Sequence, residues 1–158
     1  MGYRSALTGI LGKPDLKNLL DRRQRISLGQ PAEYAYMATA EALRMAKIEL
    51  DWKEKQEVGI IYGNDSVAQA TMNSIDIVRA KKDTTLIGSG ATFQSMNSTV
   101  TMNLSTIYKL KGINFTLAAA CASGSHSIGM GYLLIRTGLQ HQVRCGGAQE
   151  VNPFTIGR

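Results

Sequence analysis

The chain has 158 residues, of which 44% are hydrophobic and 19% charged, and its formal net charge is +6 at pH 7. This balance excludes a mostly disordered chain and provides enough apolar residues for one packed core. No apolar run reaches the roughly 20 residues of a membrane span, and the N-terminus, MGYRSALTGILG, lacks a secretory pattern. We therefore expect a cytoplasmic protein that does not engage a membrane.

Strand and helix patterns alternate along the chain. The predicted strands span 58–62, 115–119 and 143–145. The predicted helices span 31–50, 68–82, 97–110 and 123–137. Residues 1–20 are predicted to be irregular, and residues 86–94 are predicted to form a loop. This alternation indicates an α/β fold with a parallel sheet and helices on both of its faces. Three strands are few for an independent sheet, and the chain opens with a loop. We therefore expect residues 1–158 to be part of a larger domain.

The segment LAAACASGSHSIGMG, residues 117–131, places Cys121 on the turn between a predicted strand and a predicted helix. The first turn of a helix presents free N–H groups and the positive end of the helix dipole, which favour a thiolate and can hold an oxyanion. Small neighbours allow a tight turn and close approach of a substrate. This strand–turn–helix pattern is that of a nucleophile elbow, with sulfur in place of a serine oxygen. Cys121 is therefore the candidate nucleophile.

The other cysteine, His126 and the basic residues do not indicate a second catalytic or binding site. Cys145 is interpreted as a small core residue and both cysteines as thiols, because nothing suggests a disulfide scaffold. His126 lies five residues along the helix, turned about 140° from Cys121, which favours a structural role over that of a base. No residues have metal-ligand spacing, so we expect no metal. The dispersed basic residues contain no nucleic-acid motif, so we favour an acidic protein partner over nucleic acid.

The motifs together resemble those of the β-ketoacyl-acyl-carrier-protein synthases, condensing enzymes of the thiolase superfamily. The resemblance rests on LAAACASGSHSIGMGYLLIRTGLQ with the later CGGAQE, on LDRRQRISLGQPAEYAYMATAEAL, and on GSGATFQSMNSTVTMNLSTIYKLKGINFTL. It covers nearly all of the chain and is most specific around Cys121. It implies a thiolase-like layered fold, of which residues 1–158 form roughly the first half of the ketosynthase domain, truncated at both ends and lacking the family's opening strand.

The resemblance also implies a mechanism and its partners. Cys121 would accept an acyl group from an acyl carrier protein and then undergo decarboxylative condensation with a malonyl group on a second carrier, in fatty-acid or polyketide synthesis. The substrates travel on phosphopantetheine, and no other cofactor is implied. The family forms homodimers or ketosynthase-like heterodimers. By position, Ser66 would gate the acyl pocket, Ile156 would line it, and the dimer-crossing segment of Ala91, Thr92 and Phe93 would close the partner's pocket.

The chain departs from the family pattern in ways that leave alternatives open. It stops before the family's two later histidines, its lysine and glutamate and its Gly-Phe-Gly loop, so we expect this fragment alone to be inactive. Gln149 stands where the family's turn has glutamate, and Glu150 follows it. A thiolase acting on coenzyme A thioesters is one alternative, and a non-catalytic ketosynthase-like partner subunit is another, although such subunits usually lose the nucleophile.

Overall fold

Three parallel strands form the sheet. The computed structural model describes residues 11–48 and 57–152. Within them the strands are β1 (Val58–Gly63), β2 (Asn114–Leu117) and β3 (Gln142–Gly147), in the order β2-β1-β3. In the register, Ile61 lies opposite Phe115 on one side and opposite Cys145 on the other. All six residues of β1 are buried, as expected for a central strand of a parallel sheet that is covered on both faces.

Helices of very different lengths flank the strands. They are α1 (Arg22–Ile26), α2 (Gln30–Met45), α3 (Ala68–Lys81), α4 (Ala91–Gln94), α5 (Thr99–Ile107) and α6 (Ser123–Arg136). Asp21 and Gln24 form a capping box at the start of α1, and proline occupies the first turn of α2, where its missing N–H costs nothing. None of the helices in the described segments is both long enough and apolar enough to span a bilayer.

The side-chain alternation of β1 divides the helices between the two faces of the sheet. Ile60 and Tyr62 point into the main core, which α2 and α5 complete with apolar residues; these are Ala32, Ala35, Val100 and Leu104. The Tyr62 hydroxyl is hydrogen-bonded to the Thr39 hydroxyl of α2 at 3.0 Å. On the opposite face α6 packs across β1 and β3. The expected layered α/β fold, with helices on both faces, is confirmed.

Three predictions of local structure differ from the structure. Residues 22–26, for which no element was predicted, form α1. Residues 86–94 are not wholly a loop, because α4 forms at their end. This four-residue helix is too short to carry a periodic signal and is fixed by tertiary contacts: the Gln94 side chain donates to the Ile26 carbonyl at 2.9 Å. The helix predicted over 31–50 is α2, which ends at Met45. Residues 46–48 follow it without helical structure, and residues 49–56 lie outside the described part.

Candidate active site

Cys121 lies on the turn between β2 and α6, as its sequence context predicts. We call residues 118–122 the elbow. Cys121 is exposed and carries a free thiol. The preceding residue, Ala120, has φ 47°, in the left-handed region that costs a residue with a Cβ about 1–2 kcal/mol. A left-handed residue reverses the chain sharply, so the strand passes into the helix within a few residues and the cysteine is left at the surface.

The hydroxyl of Ser123 holds the elbow from the helix side. Its Oγ accepts a hydrogen bond from the Ala119 N–H at 2.8 Å and donates one to the Ala120 carbonyl at 2.7 Å. Ser123 is 5% exposed and its own N–H also donates to the Ala120 carbonyl, at 3.1 Å. A single buried side chain therefore bridges both sides of the strained residue and offsets part of its cost.

Asp65 holds the same residue from the strand side. The Ala120 N–H donates to Asp65 Oδ1 at 3.1 Å. Asp65 follows β1, and its loop is tied down in turn, because Asn64 Nδ2 donates to the Asn97 carbonyl at 2.8 Å. The peptide on the N-terminal side of Ala120 is thus anchored to the central strand. Sequence reasoning missed Asp65, because only the fold brings a residue 55 positions away to the elbow.

Glycines let the helix start lie directly against the strand ends. A Cβ at Gly63 would lie 2.3 Å from the Ser123 carbonyl carbon, and a Cβ at Gly147 would lie 3.0 Å from the Gly124 Cα. A methyl group at either position would push the N-terminus of α6 away from the carboxyl ends of β1 and β3. The elbow therefore sits where the first turn of α6 and the carboxyl edge of the sheet meet, the usual place for sites in open α/β sheets.

Ser66 lies in the loop after β1, next to Asp65. Its hydroxyl donates to Glu150 Oε1 at 3.4 Å. Glu150 is only 4% exposed and caps α3, accepting from the Ala68 N–H at 2.5 Å and from the Gln69 N–H at 3.2 Å. A carboxylate at a helix N-terminus is favoured by the free N–H groups and the dipole. In the sequence, the one indication of a role for Glu150 was that it directly follows Gln149, the position at which the resembled family has glutamate.

Three of the other predicted substrate-binding residues lie together in one short helix. Ala91, Thr92 and Phe93 form most of α4, with Thr92 exposed and Phe93 44% exposed. Gly90 lets this helix approach α1, since a Cβ there would lie 1.8 Å from the Ile26 carbonyl oxygen. Ile156 lies outside the described residues.

His126 and Cys145 occupy different environments on the α6 side of the sheet. His126 is exposed. Cys145 is half-buried under α6, and burial raises the pKa of its thiol. Within residues 11–48 and 57–152 no group of three or more His, Cys, Asp or Glu side chains is arranged to hold a metal ion.

Known proteins match this chain over almost its whole length. The model of the family described as "Beta-ketoacyl synthase, N-terminal domain" matches residues 17–157. The 3-oxoacyl-[acyl-carrier-protein] synthase 1 of Haemophilus influenzae is 32% identical over 153 residues, which cover 96% of this chain and 37% of that protein. This chain thus spans little more than a third of the relative's length.

Solved structures show the same fold. A beta-ketoacyl synthase from Burkholderia phymatum STM815 aligns with a TM-score of 0.78 and 28% identity, over 92% of this chain and 35% of that one. A ketosynthase from Xenorhabdus doucetiae, solved with its chain length factor, aligns with a TM-score of 0.74 over 87% of this chain and 35% of that one; at 16% identity it supports the fold alone. The fold is the thiolase-like fold of ketosynthases, and the chain belongs to the β-ketoacyl synthase family, whose N-terminal domain residues 17–157 match.

Proposed function

We propose that this chain supplies the nucleophile half of a β-ketoacyl-acyl-carrier-protein synthase, an acyltransferase that extends an acyl chain in fatty-acid or polyketide synthesis. The observation that carries the proposal is the exposed Cys121 on an elbow held from both sides, by Asp65 and by Ser123. Membership of the β-ketoacyl synthase family supports it. So does the name of the Haemophilus influenzae relative, a synthase of 3-oxoacyl-[acyl-carrier-protein].

In the first step, the Cys121 sulfur attacks the carbonyl carbon of an acyl thioester on the carrier. A new carbon–sulfur bond forms, the bond to the carrier's sulfur breaks, and the carrier leaves as its thiol with the proton given up by Cys121. The Cys121 N–H, near the start of α6, is the proposed donor to the oxyanion that forms on the carbonyl oxygen. The rigid elbow serves this step because the sulfur is held ready without further ordering.

In the second step, a malonyl group on another carrier loses carbon dioxide, and the resulting carbanion attacks the acyl group on Cys121. A carbon–carbon bond forms, the carbon–sulfur bond to Cys121 breaks, and the chain is two carbons longer. The family resemblance assigns assistance in decarboxylation to two histidines beyond residue 158. We therefore propose that the 158 residues take up an acyl group without completing the cycle. No metal or cofactor besides the carrier's phosphopantetheine enters the proposal.

The acyl chain is proposed to run past Ser66, whose small side chain leaves room at the gate, and along Ile156. Ala91, Thr92 and Phe93 are proposed to close the pocket of a partner subunit. The exposed ring of Phe93 agrees with a contact outside this chain. The partner is a second copy or a ketosynthase-like subunit, the latter supported by the Xenorhabdus doucetiae ketosynthase solved with its chain length factor.

Intact-mass spectrometry after exposure to an acyl-carrier-protein thioester tests the proposal. We expect one acyl adduct per chain, lost in Cys121→Ala and retained in Cys145→Ala, the matched control in which the other thiol is removed. Iodoacetamide provides the reference for the reactivity of an ordinary exposed thiol. An adduct on Cys145, or no adduct while iodoacetamide still labels Cys121, would contradict a preformed acyl-accepting elbow. In that case a non-catalytic partner subunit becomes the better description.

A further inference from the structure

A buried positive charge lies on the face of the sheet opposite to α6. Arg144 lies in β3, and both terminal nitrogens of its guanidinium are shielded from solvent. Neither nitrogen has a hydrogen-bond acceptor among the residues that the structure describes. A buried charge without a partner is strongly unfavourable, and buried donors are nearly always satisfied. The two terminal nitrogens of this guanidinium can therefore still donate hydrogen bonds to a ligand.

The surroundings of Arg144 compensate its charge only in part. The guanidinium carbon lies 5.5 Å from the centroid of the Tyr108 ring, a distance at which a cation is attracted to the ring face. That contact supplies no hydrogen-bond acceptor for the two terminal nitrogens of the guanidinium. Burial lowers the pKa of Arg144, but arginine remains protonated at neutral pH. The group keeps its charge and needs an in-plane acceptor.

A cavity of about 460 Å³ adjoins this group, between α2 and β3. Among the residues that the structure describes, Arg144 is the only charged one that lines it. Part of the wall is aliphatic; it includes Ala42, Leu43, Ile48 and Val58. The Tyr62 hydroxyl, which also lines it, is already bonded to Thr39 at 3.0 Å. The volume is within the range of small-molecule sites, which are typically apolar with a few orienting polar groups.

We propose that this cavity binds a monocarboxylate with a short apolar tail, with the carboxylate paired to the Arg144 guanidinium and the tail against the aliphatic wall. The planar fork of a guanidinium matches the two oxygens of a carboxylate, which satisfies both buried nitrogens at once. An apolar tail matches the aliphatic side chains that line the described part of the wall. The site lies on the α2 face of the sheet, apart from the elbow at the start of α6, and it does not depend on the proposed acyl transfer.

Calorimetric titration of the chain with octanoate tests this site. We expect octanoate to bind saturably with 1:1 stoichiometry. Acetate lacks the tail and 1-octanol lacks the carboxylate, and we expect each to bind with at least tenfold lower affinity. Arg144→Met removes the charge at similar volume and is expected to weaken octanoate binding more than tenfold. Arg136→Met, at an exposed arginine near the end of α6, is the matched control and is expected to bind as the wild type does. Ala42→Phe is expected to weaken binding by filling the cavity.

Each contrary result overturns the proposal. Absence of saturable octanoate binding at millimolar concentration would mean that the cavity takes no such ligand. Equal binding of octanol and octanoate, a comparison that needs no variant, would exclude recognition of the carboxylate. Unchanged binding by a folded Arg144→Met protein would place the ligand elsewhere. If Arg144→Met does not fold, Arg144→Lys keeps the charge and loses the planar fork, and binding undiminished by that change would contradict the paired geometry.

Discussion

The strained residue beside the nucleophile depends on a single long-range hydrogen bond. Ala120 keeps φ 47° while its N–H donates to Asp65 Oδ1 at 3.1 Å. Asp65→Ala removes the acceptor, and we expect it to lower the free energy of unfolding by about 1.5–3 kcal/mol, the usual range for a hydrogen bond to a charged group. Asp65→Asn keeps a carbonyl oxygen and should lose less than half of that. Urea unfolding measures both. Equal losses in the two variants would show that the charge matters, and not the acceptor.

The ionisation of Glu33 gives a second test at the residue scale. Burial raises the pKa of this carboxyl, with Lys13 Nζ at 3.7 Å opposing the shift only in part. Because the folded-state pKa lies above the unfolded value of about 4.3, the folded chain binds the proton more tightly. The resulting stability is full below the unfolded pKa and is lost as the pH rises through the folded one.

Glu33→Gln mimics the protonated carboxyl and should therefore be more stable than the wild type at pH 7. The difference should shrink as the pH approaches 4, the region of the unfolded pKa. Urea midpoints at the two pH values measure it. Glu41→Gln, which removes an exposed carboxylate 3.6 Å from Arg44 Nη2, is the control and should change little. A Glu33→Gln variant less stable than the wild type at pH 7 would mean that the ion pair with Lys13 outweighs burial.

At the scale of elements, the seating of α6 on the sheet depends on small residues at the contact. A Cβ at Gly131 would lie 2.3 Å from Cys145 Sγ, whereas Gly129, on the same helix, has nothing within 4 Å of the corresponding position. Gly131→Ala should therefore destabilise the chain by about 1–3 kcal/mol through overpacking. Gly129→Ala should stabilise it by about 0.5–1 kcal/mol through helix propensity.

Thermal or urea unfolding of the two variants compares them on one helix. The double variant Gly131→Ala with Cys145→Ala should recover most of the loss, since the clashing sulfur is absent. A Gly131→Ala protein as stable as the Gly129→Ala protein would show that α6 can shift along the sheet at little cost.

At the scale of the whole molecule, the net charge of +6 bears on the proposed carrier-protein partner. Arg22 and Arg23, both exposed on α1, form one basic cluster. Reversing both to Glu should weaken binding to an acidic carrier protein about tenfold at low salt, and the wild-type affinity should itself fall as salt rises. Reversing Lys81 and Lys82, an exposed basic pair of equal charge, is the control. Biosensor binding at two salt concentrations measures both; equal losses would indicate attraction by net charge without a defined docking site.

The sequence predicted the three strands, the four longer helices and the nucleophile because each leaves a local signal. The strands starting near 58 and 115 are short apolar runs, the strand starting near 143 is closed by two glycines, and the helix from 123 follows a run of small residues. These patterns were enough to predict a parallel α/β sheet and to place Cys121 on a turn. Residues of α4 carry no such signal, because one helical turn has no periodicity and depends on its contact with Ile26.

The sequence by itself therefore determined the α/β class, the order of the strands and the longer helices, and the position of Cys121 between a strand and a helix. Only the tertiary structure decided which residues from distant parts of the chain come together. It places Asp65 at the elbow, Glu150 at the start of α3 and Arg144 beside the cavity. The physical reason is one of range. Periodicity and turn chemistry act over a few residues, whereas hydrogen-bond partners and buried charges are set by the packing of segments that lie far apart in the chain.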